Sequence, residues 1–157
     1  MVQSLKIPEP FIYDSELNSW LRWLIKTLQE DFPYTQPYQF MQSDVAASQA
    51  AVALDVLGLA GNTEYTMELA GSVVGIAIAS NDARTAGTLT VDVTVNGTAT
   101  GLQAILDGTN DTYHYATQIA ETDTFSAGDR LGVDITTGAD WEPDGTPDIV
   151  VTVMVLK

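Results

Sequence analysis

Between Gly87 and Gly97 the chain reads GTLTVDVTVNG, and hydrophobic and polar positions alternate without a break. Leu89, Val91, Val93 and Val95 fall on one side of an extended chain, and Thr88, Thr90, Asp92 and Thr94 on the other, because successive side chains of a strand point to opposite faces. This is the pattern of a half-buried strand. Its β-branched residues suit the pleat, and Asn96-Gly97 accepts the positive φ angles of a two-residue hairpin. Thr98 to Leu106 is therefore predicted to return antiparallel.

Other segments repeat the pattern at turn-punctuated intervals. Asn62 to Ala70 alternates through Tyr65, Met67 and Leu69, and Val73 to Ala79 offers Val74, Ile76 and Ile78 as an inward face. After the turns Ser80 to Ala86 and Asp107 to Asp111, Thr112 to Gln118 places Tyr113 and Tyr115 on one side. Arg130 to Thr137 turns Leu131, Val133 and Ile135 inward, and an acidic loop, Gly138 to Pro147, precedes the last segment. Asp148 to Leu156 is apolar on both faces, as expected of a central strand or of one that faces a neighbouring subunit. Ser43 to Gly58 alternates poorly and is Ala-rich, so Ala50 to Leu57 fits a strand or a helical turn and is read as a strand. The sum predicts a mainly β chain, a jelly-roll-like antiparallel β-sandwich of about eight strands.

Towards the N-terminus the period changes. Pro8 and Pro10 hold Met1 to Tyr13 as an extended arm. Asp14 or Ser15 can cap a helix running to about Phe32, where Pro33 stops it. Leu17, Trp20, Leu21, Leu24, Ile25 and Leu28 form its apolar stripe, opposite Asn18, Arg22, Lys26 and Gln29. Trp23 lies about 120° from the centre of the stripe at roughly 100° per residue, so it needs a second surface or stays partly exposed. Phe32 to Gln42 is aromatic and proline-broken, and reads as a linker packed across a partner or the sandwich. The expected organisation is an anchor segment at residues 1–42 and a sandwich at residues 43–157.

Six Lys plus Arg against 21 Asp plus Glu give a formal charge of −15. Such a surface repels phosphates and anionic lipid, which argues against nucleic acid and membrane partners. With no cysteine, disulfides, thiolate metal sites and a Cys nucleophile are excluded. The first residues lack the basic start and apolar core of a secretory signal, so synthesis in the cytoplasm is expected. The single histidine, His114, has no G-x-S-x-G elbow beside it and is read as structural. Asp140, Glu142, Asp144 and Asp148 fit the first, third, fifth and ninth places of a calcium loop, with Gly145 at the sixth. Val151 stands where the bidentate acid belongs and the flanks are strands, so an EF-hand is excluded and the four acids remain a weak metal candidate beside a plain solvated loop. Asn96 and Asn110 match the glycosylation pattern but are read as turn residues. No catalytic constellation and no cofactor motif emerges, and a non-enzymatic protein is expected.

The phrases GSVVGIAIASNDARTAGTLTVDVTVNGTATGL, YHYATQ and DTFSAGDRLGVDITTGADW, followed by a valine-rich final strand, resemble a jelly-roll domain of tailed-phage virion proteins. Phe125 to Leu131, FSAGDRL, also resembles the turn into a strand of trimeric complement C1q and tumour-necrosis-factor jelly rolls. The resemblance covers Gly71 to Lys157. It implies a non-enzymatic homotrimer located on the virion, a capsid decoration (cement) protein whose partners are the major capsid protein and itself. The rival reading is a fibre or receptor-binding module for a host glycan. On the decoration reading, Trp20, Trp23, Phe32, Tyr34, Tyr38 and Phe40 are the expected capsid or oligomer contacts, since aromatic residues carry much of an interface's binding energy. Each of them can equally serve the protomer's own core.

Overall fold

The computed structural model describes residues 19–24 and 33–157. The expected arm, the two ends of the expected helix and Phe32 lie outside the described residues. Within Met1–Pro33, one of two compact units, residues 19–24 are helical. The second unit, Tyr34–Lys157, is built of strands.

Its strands are β1 (Thr35–Gln42), β2 (Val52–Ala53), β3 (Asp55–Val56), β4 (Glu64–Thr66), β5 (Gly71–Ser80), β6 (Arg84–Ala86) and β7 (Leu89–Val95). They continue as β8 (Thr98–Leu106), β9 (Tyr113–Thr117), β10 (Asp123–Phe125), β11 (Arg130–Thr137), β12 (Glu142–Pro143) and β13 (Ile149–Leu156). One sheet runs β10-β5-β13-β1-β3, with β9 also on β5, and the other runs β2-β11-β7-β8, with β4 also on β11. All pairs are antiparallel. β2 and β4 lie end to end along β11, as β9 and β10 do along β5.

With each of these pairs taken as one strand, and short β3, β6 and β12 set aside, the eight positions in chain order are β1, β2/β4, β5, β7, β8, β9/β10, β11 and β13. The sheets then read 1-8-3-6 and 2-7-4-5. Every connection crosses between the sheets except the β7–β8 hairpin. This is the jelly-roll order.

The central hairpin follows its alternation from Leu89 to Val93, whereas Thr94 is buried and Val95 only half-buried where the β7–β8 register shifts between Asp92 and Thr94. Leu89, Val91 and Val93 are fully buried, and Asn96 (φ 52°) and Gly97 (φ 74°) make the turn with two positive φ angles. Leu131, Val133 and Ile135 meet them from β11. Facing this layer are Ile149, Val151, Val153 and Val155 of β13, all essentially buried, on a strand flanked by β5 and β1.

Three expectations are corrected. Phe32 to Gln42 contains strand β1 rather than a linker, so residues 34–42 belong to the sandwich and the expected boundary at 42/43 moves to Pro33/Tyr34. Ala50 to Leu57 splits into β2 and β3, which join different sheets. On β5 the pairing jumps from Gly75 to Val73 opposite Met154 and Val155. That bulge inverts the alternation, so Val73 is buried with Ile76 and Ile78, whereas Val74 is only half-buried.

Candidate functional site

The six aromatic contact candidates separate by environment. Trp20 and Trp23 are 53% and 60% exposed, and three residues apart on a helix they are neighbours on its surface. Trp20, placed by periodicity on the apolar stripe, is thus as open as Trp23, while Leu21 and Leu24 are half-buried. Tyr34 is half exposed and exchanges both backbone hydrogen bonds with Lys157, at 3.1 and 3.0 Å. Tyr38 and Phe40 point inward from β1 and are buried. Tyr65 meets both rings edge-on, with centroids 4.9 and 5.4 Å away, and the Lys157 ammonium donates to the Tyr38 hydroxyl at 2.6 Å. These two rings serve the protomer's own core and are not available as surface contacts. Phe32 lies outside the described residues.

The acidic loop is organised by apolar and backbone contacts. Trp141 and Pro147 are buried, and β12 pairs with β6. Gly87 (φ +73°) passes so close that a Cβ there would meet the Asp140 and Trp141 backbone at 2.5 Å. Asp148 accepts from the Asp44 amide at 3.2 Å, and Asp140, Glu142, Asp144 and Asp148 are all exposed. Among the described residues, no three His, Asp or Glu side chains converge as a metal cluster. The four acids that formed the weak metal candidate are spread along this stretch, Asp140 in a turn, Glu142 on β12, Asp144 in a bend and Asp148 just before β13.

His114 sits on the inward side of β9, and its Nδ1 accepts the Ile105 amide of β8 at 2.9 Å. It stitches the edge of one sheet to the edge of the other. Asn96 donates to Asp129 at 2.9 Å and accepts from the Arg130 amide at 3.0 Å, which fixes the hairpin turn against the Phe125–Leu131 corner. Asp129 also accepts from Ser126 at 2.7 Å. The Asn96 amide, then the Ser126 N–H, hold its carboxyl below the ordinary value. A cleft of about 670 Å³ opens beside β1 and β3, lined by Met41, Val52, Val56 and Leu59, with Asp55 as its one titratable side chain. It assembles no acid–base or nucleophilic pair.

The outer faces of the two sheets differ in charge. On the β7–β11 sheet Asp92 stands opposite Asp134, and Arg130 bridges to Glu64 at 3.0 Å. Burial, then the Asp92 and Glu64 charges, push the Asp134 carboxyl up. On the other sheet, the register aligns Tyr113, Ala79, Val150 and Met41 in one outward row across β9, β5, β13 and β1. The next row is Tyr115, Ala77, Thr152 and Gln39, and the third Thr117, Gly75, Met154 and Pro37. None of these twelve residues is charged. Tyr113 and Tyr115 are each 67% exposed. Sequence reasoning paired the tyrosines but missed the face, which requires the strand order. The available signal was the absence of Asp, Glu, Lys and Arg from all four strands.

No protein-family model matches the chain, and no curated protein matches it. Among solved structures, it is similar to a chain of the cyanophage Pam1 capsid asymmetric unit (13% identity, 79% of this chain and 85% of that one, TM-score 0.46). It is also similar to a chain of the acidic stable capsid of Helicobacter pylori bacteriophage KHP30 (12% identity, 80% and 94%, TM-score 0.44). A third is the globular domain of zebrafish complement 1qA (12% identity, 78% and 96%, TM-score 0.41). The jelly-roll assignment rests on strand order and register rather than on these similarities.

Proposed function

We propose that this chain is a non-enzymatic virion structural protein, a homotrimeric decoration protein that clamps neighbouring major capsid subunits on a phage shell. The observation that carries the reading is the pair of exposed indoles, Trp20 and Trp23, on a segment that precedes a jelly roll with its own complete core. Large aromatic side chains left in solvent are the residues that interfaces use most heavily. The sandwich needs neither ring for its own packing: its core is closed by Phe40, Leu54, Met67 and the inward residues of β5, β7, β11 and β13. The phrases between Gly71 and Lys157 that resemble virion jelly rolls give the same direction.

The mechanism is mass action. A ligand that binds only the assembled shell stabilises it by RT ln(1 + [L]/Kd), and a trimer multiplies the effect through avidity. The full-length chain carrying Trp20→Ala and Trp23→Ala tests this by co-sedimentation with undecorated shells. Loss of at least about tenfold in shell affinity is expected, since hot-spot truncations cost about 2 kcal/mol or more, with the melting of the sandwich unchanged. Undiminished shell binding would overturn the role of the helix. Binding of the wild-type chain to host cells but not to shells would replace the reading with a receptor-binding one.

A further inference from the structure

We propose that the uncharged outer face of β9, β5, β13 and β1 is the surface through which copies of this chain associate. The proposal rests on the self-association in the reading above and locates it. A chain of formal charge −15 repels its own copies wherever carboxylates face each other, and net charge of this size keeps proteins apart. The face built on Ala77 and Thr152 is the broad surface of the sandwich where that repulsion is absent, because its three central rows contain no Asp, Glu, Lys, Arg or His. Charge returns at the rim, with Asp55 opposite Met41 on β3.

A second copy fits this face better than a different partner does. A basic shell surface would be drawn to the acidic sheet bearing Asp92, Asp134 and Glu64. An uncharged face gains nothing from a charged partner and loses nothing against itself. Its composition also matches the cores of interfaces, which are depleted in charge and enriched in Tyr and Met. Tyr113 and Tyr115 stand in solvent beside the small side chains Ala77 and Ala79. That relief of large against small gives a neighbouring copy a ridge and a shelf to pack on. Beneath it, the inward residues Ile76, Ile78, Val151 and Val153 are already buried, so a substitution on the outer side leaves the core untouched.

The test is the molar mass of the full-length chain by light scattering across a dilution series, for wild type, Ala77→Glu, Tyr115→Glu and the control Thr90→Glu on the opposite sheet. Like charges forced together across an interface cost several kcal/mol. Ala77→Glu and Tyr115→Glu are therefore expected to weaken self-association more than about tenfold, while Thr90→Glu stays oligomeric. Circular dichroism identifies any variant that fails to fold, and Tyr115→Glu, at an exposed position, decides the matter if Ala77→Glu does so. An oligomeric wild type with both face variants equally oligomeric would overturn this face while leaving self-association in place. A wild type that is monomeric throughout would overturn the homotrimer as well.

Discussion

Asp92 and Asp134 face each other across the β7–β11 ladder, an arrangement that destabilises an antiparallel pair by about 0.2–1 kcal/mol. The Gln103 amide donates to Asp92, which leaves Asp134 to carry the strain. Burial and the two neighbouring carboxylates raise its value above 3.8, so the fold disfavours the ionised form. The penalty is complete above the folded value and disappears as pH falls below the unfolded one. Asp134→Asn is accordingly predicted to be more stable than wild type at neutral pH by about 0.2–1 kcal/mol, and the gap should close in acid. Asp107 and Asp129 act with the opposite sign. Hydrogen bonds hold both below 3.8, so what they contribute is lost as pH falls through their folded values. Comparing urea midpoints of variant and wild type at each pH isolates Asp134, because the other carboxylates are common to both. A variant less stable at neutral pH, or a gap independent of pH, would contradict this account. The same scale shows why Tyr38 and Phe40 were open to misreading as contacts. Pro33 and Pro37 argue against a strand, yet Tyr34 and Lys157 exchange hydrogen bonds, and such pairs alternate along the ladder. Pro37 therefore turns its missing donor away from β13, towards an edge that β3 covers only at Phe40 and Met41. The proline costs no ladder bond, and the rings beyond it enter the core.

Among the elements, those with local instructions were readable: the β7–β8 hairpin from alternation and Asn96-Gly97, and β11 from Leu131, Val133 and Ile135. The bulge on β5 was hidden because Val73 and Val74 are chemically identical and only the β13 register distinguishes them. The order of the sheets was hidden for a related reason. All connections but one cross the sandwich, and no short-range signal encodes which strands meet. His114 illustrates such a long-range junction, since its acceptor nitrogen joins β9 to β8 in the opposite sheet. Replacing it with alanine leaves the half-buried Ile105 amide without that partner, which is predicted to cost about 1–3 kcal/mol. Hydrogen exchange at Ile105 should accelerate more than exchange at Val91 or Val133, on the inner strands of the sheet. Equal acceleration everywhere would mean that His114 acts through global stability rather than by holding this seam.

For the whole molecule, the decisive quantity is the contrast between a total charge of −15 and one sheet face whose rows across β9, β5, β13 and β1 carry none of it. Long-range repulsion acts between copies at every orientation, whereas the attraction on the uncharged face is short-ranged. Salt separates the two. The Debye length falls from about 30 Å at 0.01 M to about 8 Å at 0.15 M, so added salt removes repulsion between approaching copies while leaving contacts between Tyr113, Tyr115 and their neighbours intact. Self-association is predicted to strengthen with ionic strength, and binding to a basic partner through the acidic sheet to weaken. Repeating the dilution series from low salt to physiological salt provides the check. Dissociation of the oligomer as salt rises would show that ion pairs hold the copies together. The twelve residues of the three rows contain no ion to form such pairs, so that outcome would place the contact on another face.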